Sequence, residues 1–598
     1  MAEDEPPKPA RSPRWNRRVI AFAVVVVALG WLGIAALQGV RGVNSANDGL
    51  DAMDELRGVA TGSLDELVDS VGGETDDVSE EDASAQLATA AGHFADASDA
   101  LDSWAIQPLR WVPVLGRQVR SASALADSAE TVAGEASVAV GELSDVLAGS
   151  SAAPATRLAA VQRSSEALAS FAESVKNLDL GPEESLVPPL ADARNRFAEE
   201  YVRVTDTLFS MSSVLLGVEQ LLAGPSRYLV LGANNAEMRS GGGMILQVGP
   251  LDIDAGEFDI GEFRPTQELV LDSPVSVDPD IEALWGALSP GRDWRNTNLS
   301  PRFDQTGATT AAMWEALGEE PVDGVILLDV PAIEALLEVT GPVTLDSGEV
   351  VSADTVAQDL LIDQYTAFDD RDVRRERLGR VAAEVFNALN SGEISASELL
   401  SVLREMGAGR HMMMWSSDPL QQEAWEELGT AGVPPSDSLL LSVLNRGGNK
   451  LDPYLDVEAQ VSVDDSVEPA RFTVQVHLAN NAPQGLPFYV AGPHPGSELS
   501  TAEYRGIVSL TMPSGAGNVT IGGAVPVALG DDGPTRVAAG EARVLRGESA
   551  TVTVSFDLPA GWEGMSVQPS ARVPASEWIT PWGRFSDELA VELDFGRE

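Results

Sequence analysis

Arginine, asparagine and glutamate set beside consecutive glycines are residue types that can hold an anion. Residues 228–247, YLVLGANNAEMRSGGGMILQ, have that composition. Asn234, Asn235, Glu237 and Arg239 precede Gly241, Gly242 and Gly243, and an apolar run flanks each side. The glycines allow two readings: their amides can come close to a phosphate, or they can form a tight turn between strands. Farther along, Arg264, Arg295, Asn296, Asn298, Arg371, Arg374 and Arg375 fall in or beside expected loops and helix starts. A guanidinium presents a planar fork of donors that matches phosphate oxygens two at a time. The alternative is that each arginine pairs with a neighbouring Asp or Glu.

Other chemistries find little support. There is no GxxxxGK, HExxH or GxSxG, and the four histidines, His93, His411, His477 and His494, are scattered. With no cysteine, disulfides, thiolate metal sites and cysteine nucleophiles are excluded. Asp252 with Asp254, and Asp278 with Asp280, could flank a metal ion, but among 92 acidic residues such pairs arise by chance. The net charge of -53 argues against nucleic acid as a partner, because nothing here could neutralise a phosphate backbone on a large scale. Lys8, Lys176 and Lys450 are the only lysines, so nearly every cation is an arginine.

These residues must be positioned by several domains, since 598 residues exceed what one core serves. Residues 19–37, VIAFAVVVVALGWLGIAAL, are uncharged, and at roughly 1.5 Å per residue they nearly span a bilayer core of about 30 Å. A single transmembrane helix is expected over 19–40. Lys8, Arg11, Arg14, Arg17 and Arg18 place residues 1–18 in the cytoplasm and the bulk of the chain outside, an uncleaved signal-anchor in a cell-envelope protein. A cleaved signal peptide is the rival reading.

Residues 41–224 carry apolar positions at helical spacing, as at Leu87, Ala90, Ala91, Phe94, Ala97 and Leu101, and read as an extracytoplasmic bundle of about five antiparallel helices. One of its turns, WAIQPLRWVPVLGR, sets Trp104, Leu109, Trp111, Val112, Val114 and Leu115 beside Arg110 and Arg117. Such a turn suits a membrane interface or the cap of a bundle. Residues 225–452 alternate strands and helices as an α/β domain. Strands are expected at 227–231, 244–248, 257–263, 324–329 and 411–415, with helices at 305–317, 330–340, 353–361 and 372–391. Residues 453–598 show short alternating runs between Gly and Pro turns, the pattern of an immunoglobulin-like β-sandwich. The expected class is therefore multidomain α+β.

Four segments, YLVLGANNAEMRSGGGMILQVGPLDIDAGEFDIGEF, NTNLSPRFDQTGATTAAMWE, VDGVILLDVPAIEALLEVTGPV and NRGGNKLDPYL, together resemble the domain-of-unknown-function 4012 family, membrane proteins of actinobacteria and other Gram-positive bacteria. The order of elements is also similar to that of the LytR-CpsA-Psr phosphotransferases, which attach lipid-linked glycopolymers to the cell wall. Where those enzymes carry arginine followed by Ser-Asp, this chain has Arg239 and Ser240 with Gly241 in place of the aspartate. Their strand-helix-GGV unit is echoed by residues 325–343, and their R-x-x-R-Q helix start by Arg371, Arg374 and Arg375, the last standing where the glutamine would be. This resemblance implies that Arg239, Arg371 and Arg374 hold a polyprenyl pyrophosphate. It also implies Mg²⁺ as the cofactor of a transfer, placed by the aspartate that is missing here. Glu237 is the candidate base for activating a sugar acceptor.

Two functions of different class follow. One is an envelope enzyme, or an inactive relative, that binds a polyprenyl-linked glycan at the bilayer. The other is a non-enzymatic scaffold whose bundle and sandwich hold envelope proteins or polysaccharide.

Overall fold

The computed structural model describes residues 80–147, 154–367, 371–391, 394, 396–493, 496–559 and 561–595, together with Arg41. The expected membrane helix and cytoplasmic tail lie outside the described residues. Among the described residues no helix is long and apolar enough to cross a membrane. The chain is a multidomain α+β protein with two compact units, Met1–Ser144 with Ala167–Phe209, and Asp145–Glu166 with Ser210–Glu598.

Long helices make up the described part of the first unit. α1 (Glu80–Leu101) and α2 (Leu115–Leu147) are followed by α3 (Pro154–Val175) and α4 (Pro188–Ala223), the last three each having part of their length in the second unit. α1 and α2 are antiparallel: Ser84 bonds the Ser137 carbonyl at 2.9 Å, and Ser98, farther along α1, bonds Asp127, farther back along α2. Alanines at helical spacing let the two backbones come close, so Ala90, Phe94, Ala129 and Ala133 form a small core against which Phe197 packs.

The second unit begins with a long hairpin, β1 (Ser226–Arg239) and β2 (Gly242–Asp254). With β3 (Glu257–Ile260), β4 (Gly324–Leu328) and β5 (Met412–Ser416) it forms a sheet of order β3-β2-β1-β4-β5. β1 runs parallel to β4 and antiparallel to β2, which makes it the central strand. Side chains of successive residues point to opposite faces. Tyr228, Val230, Ile326 and Leu328 accordingly enter one core, while Leu229, Leu231, Val325 and Leu327 enter another.

Helices cover both faces. α5 (Phe303–Ala316) delivers Phe303, Met313 and Trp314 to the second core. α6 (Val330–Thr340) delivers Ile333, Leu336 and Leu337 to the first. Local sequence sets the limits of α6: Asp329 caps it by accepting from the Ala332 amide at 3.2 Å, Pro331 sits in its first turn, and Gly341 ends it at φ 77°. α7 (Arg371–Ser391) adds Val381, Val385 and Leu389 to the first core.

Two six-stranded sheets complete the unit over one shared apolar core. One is centred on Leu455–Asp464 and Ala470–Asn480, the other on Ser438–Asn445 and Tyr504–Pro513. Ser438–Asn445, assigned from sequence to the α/β segment 225–452, is thus a central strand of the second sheet, paired with residues on both sides. All eight of its residues are buried, an unbroken pattern that short-range alternation does not distinguish from an α/β strand.

Candidate functional site

A cavity of ≈ 710 Å³ opens where the far end of the hairpin meets the strand Ser438–Asn445. Residues 232–239, between the strands expected at 227–231 and 244–248, continue β1 as strand with an insertion. Asn234 pairs with Met244 and Met238 with Gly243, so Asn235, Ala236 and Glu237 have no opposite residue on β2. Such a bulge re-aims side chains. Here it sends Asn234 and Glu237 to the cavity while Asn235 turns into the core. Gly243 makes this approach feasible, since a Cβ there would lie 2.5 Å from the Asn234 backbone.

Arg239 is 3% exposed and lines the cavity. Its Nε donates to the Arg295 carbonyl at 2.9 Å, and its Nη1 to the carbonyls of Met238 and Asn445 at 2.8 and 2.9 Å. Among the described residues no carboxylate lies within 4.0 Å of it, the limit that defines the ion pairs found elsewhere. Burial, and then the nearby Arg446, lower its pKa to about 10, so it stays charged at neutral pH. Arg446, half-buried on the same wall, donates to Asn296 Oδ1 at 3.4 Å, and among the described residues it too has no carboxylate within 4.0 Å.

The other two cations of the cavity are neutralised. Asp293 grips Arg295 with both oxygens, at 2.9 and 2.8 Å. Trp294 between them is buried in the second core and anchors the turn. Lys450 pairs with Glu237, and its ammonium lies 5.3 Å from the Tyr365 ring centroid and 5.5 Å from that of Tyr489. Burial works against its charge, but Glu237 more than offsets this and holds the lysine pKa well above the usual value. The π-helical turn Asp359–Asp363 leads into Tyr365, whose hydroxyl accepts from Asn234 Nδ2 at 3.2 Å.

The wall beside Lys450 is set by asparagines. Asn445 Oδ1 caps the Gly447 amide at 2.9 Å, Asn445 Nδ2 reaches Asp452 at 2.9 Å, and Asn449 Nδ2 reaches the Glu503 carbonyl at 2.9 Å. Met244, Leu246, Pro265, Leu378 and Phe488 supply apolar lining. With Arg239, Arg295, Arg446 and Lys450 against Glu237 and Asp293, the cavity carries a cationic excess in a chain of net charge -53.

Of the residues singled out from sequence, Asn234, Glu237, Arg239, Arg295 and Asn296 converge here. Others do not. Asn235 donates to Asp329 at 2.7 Å and to the Ala571 carbonyl at 3.0 Å, tying the sheet to the sandwich. Asn298 holds the hairpin tip through the carbonyls of Gly241 and Gly243, at 3.2 and 2.8 Å. Ser240 is buried, and among the described residues its hydroxyl has no partner. Arg264 pairs with Glu319 at 2.6 Å and stacks over Trp314.

α7 begins at Arg371, but the side chains of Arg371, Arg374 and Arg375 lie outside the described residues. At Gly241, where the expected phosphotransferase resemblance would call for aspartate, a Cβ would lie 3.1 Å from that of Asn298 and 3.2 Å from the Ser300 carbonyl. The acidic pairs are taken too: Asp252 by Arg227 at 2.6 Å, and Asp278 as the cap of the Asp280 amide at 2.9 Å. Among the described residues no group of three or more histidines and carboxylates could hold a metal ion.

The sequence reading missed Tyr365, Tyr489, Asn445, Arg446, Asn449 and Lys450 as site residues. One usable signal was the isolated lysine in NRGGNK, in a chain that otherwise uses arginine almost throughout.

Residues 223–365 match the family model described as "Protein of unknown function (DUF4012)". This segment is a DUF4012 domain. It contributes the hairpin, the Trp294 turn and Tyr365, whereas Arg446 and Lys450 come from beyond the matched residues. No curated protein matches the chain. Among solved structures, the Lin1025 protein of Listeria innocua is similar at 16% identity over 35% of this chain and 79% of its own, with a TM-score of 0.18, a likeness that carries no argument. Similarity to the LytR-CpsA-Psr enzymes is shown by none of these matches.

Proposed function

We propose that the cavity beside the DUF4012 hairpin binds a phosphate or pyrophosphate group, with Arg239 and Arg446 as its guanidinium partners. The observation that carries this reading is that both arginines line one cavity with no carboxylate within 4.0 Å among the described residues, in a chain where acids outnumber bases 92 to 39. A cation withdrawn from water without a counter-charge costs free energy, which a bound anion would restore. The five apolar side chains at the rim and wall suit a ligand with a hydrocarbon or ring portion next to its charge.

Together with the sequence reading of an envelope protein anchored by residues 19–40, this favours a polyprenyl-(pyro)phosphate-linked glycan as the ligand, within an α/β domain of LytR-CpsA-Psr type and beside an immunoglobulin-like sandwich. Binding is favoured over transfer, because Glu237, the candidate base, is already engaged by Lys450 and position 241 offers no aspartate.

The test is titration of the protein with inorganic pyrophosphate, followed by calorimetry. Arg446→Gln removes a half-buried side chain and should weaken binding about ten-fold or more while leaving the melting temperature in place. Mass spectrometry of co-purifying lipid should lose a polyprenyl phosphate species in the same variant. Pyrophosphate that binds neither protein would sink the reading.

A further inference from the structure

The turn between α1 and α2 presents an apolar tip to solvent. Trp104 is 70% exposed, Trp111 90% and Val114 63%, and Val112 and Leu115 are exposed as well. A loose loop would fold such side chains inward, but this one is held from below. Ala105 and Ile106 are buried as its foot. Arg110 pairs with Asp102 and donates to Ser123 at 3.0 Å, and Arg120 donates to the Arg110 carbonyl at 2.8 Å. Gly116 packs so tightly on the Arg110 carbonyl that no side chain fits there, and Val114 sits at φ 70°, a backbone region that β-branched residues rarely adopt.

Charge is also reversed locally. Residues 103–126 contain Arg110, Arg117 and Arg120 and no acid, and Arg117 and Arg120 are exposed with no ion pair among the described residues. The adjoining connection, tied on through Gln118 to Ser185 at 2.9 Å, carries Glu183 and Glu184; Glu183 is engaged by Arg194 at 3.8 Å.

We propose that this tip docks on a lipid bilayer with anionic headgroups, the two indoles lying at headgroup depth and Arg117 and Arg120 against lipid phosphates. Tryptophan combines a large apolar ring with one N–H donor, which suits that boundary. Cations beside exposed indoles complement the anionic surface of a bilayer, whose apolar interior below the headgroups also receives the rings. The proposal concerns the first unit alone and stands apart from the phosphate-binding reading.

The chain has no cysteine, so a single label can report the position of the tip. Val112→Cys, carrying an environment-sensitive fluorophore, leaves both indoles in place, and Val138→Cys, on an exposed site of α2, serves as the reference. The full chain is reconstituted in phosphatidylcholine vesicles containing about a quarter phosphatidylglycerol. The label at 112 should be quenched by headgroup-proximal brominated lipid at least about two-fold more than the label at 138, and should be shielded from aqueous iodide. Adding Trp104→Ser and Trp111→Ser should abolish the difference with the helical signal unchanged, since both rings are exposed. Equal iodide quenching at 112 and 138 would overturn the proposal, as would shielding that follows protein concentration and is independent of lipid.

Discussion

Asp452 Oδ1 lies 3.0 Å from Nη1 of Arg572, an ion pair whose side chains are 0% and 1% exposed. The same carboxylate accepts from Tyr504 at 2.8 Å, from Asn445 at 2.9 Å and from the Met238 amide at 3.2 Å. One buried charge therefore joins the end of the DUF4012 hairpin to both ends of the sandwich segment, and it sets the spacing between Arg239 and the 445–450 wall.

Breaking that pair from one side leaves a buried guanidinium without compensation. Asp452→Asn should lower unfolding free energy by about 3–5 kcal/mol, read as a fall in the urea midpoint. A midpoint within error of wild type would show that Arg572 finds another partner.

Gly243 is a second pressure point, because its neighbours are backbone atoms that cannot yield. A methyl group at this position meets Asn234 C at 2.5 Å and its N and O at 2.7 Å. Gly243→Ala should cost about 1–3 kcal/mol and shift the bulge that aims Asn234 and Glu237. Thermal melting reads the first effect, and pyrophosphate affinity should fall with it.

Glu237 separates two roles by the sign of a binding change. As the counter-ion of Lys450 it subtracts positive potential from the cavity, so Glu237→Gln should tighten pyrophosphate binding roughly five- to ten-fold. The buried ammonium would then lack its partner, lowering stability by about 2–4 kcal/mol. Unchanged affinity with lost glycan transfer would instead assign it the role of base.

His411 makes stability depend on pH. Burial alone lowers its pKa, but Asp329, bonded to Nδ1 at 2.8 Å, outweighs burial with help from Asp587 and Glu588, and the folded pKa is raised. A group whose folded pKa exceeds its unfolded value stabilises fully below the unfolded value, about 6.5 for histidine. That contribution is lost as pH rises through the folded value. Denaturation midpoints of wild type should therefore fall on going from mildly acidic to alkaline pH by more than those of His411→Gln. Parallel profiles would contradict the pairing.

Much of the architecture is legible in local pattern. The helix of residues 330–340 could be read from its aspartate cap, its early proline and its closing Gly-Pro, and the structure has it with those bounds. The buried strand expected at 411–415 lies one residue farther along, at Met412–Ser416, legible because MMMW carries no polar break. Asn235 and Asn298 were legible as unusual but not as structural, because the groups that satisfy them, Asp329, Ala571 and the hairpin carbonyls, are distant in sequence.

Sequence by itself thus determined several of the helices and buried strands, and which stretch deserved attention as a site. Those signals are local: caps act over one turn, and apolar periods repeat within one element. Only the tertiary structure decided which cations keep their charge unspent. Arg264 meets Glu319, 55 residues away, and Lys450 meets Glu237 across 213 residues, while among the described residues Arg239 donates to carbonyls alone. Charge compensation depends on distance in space, and chain separation does not encode it.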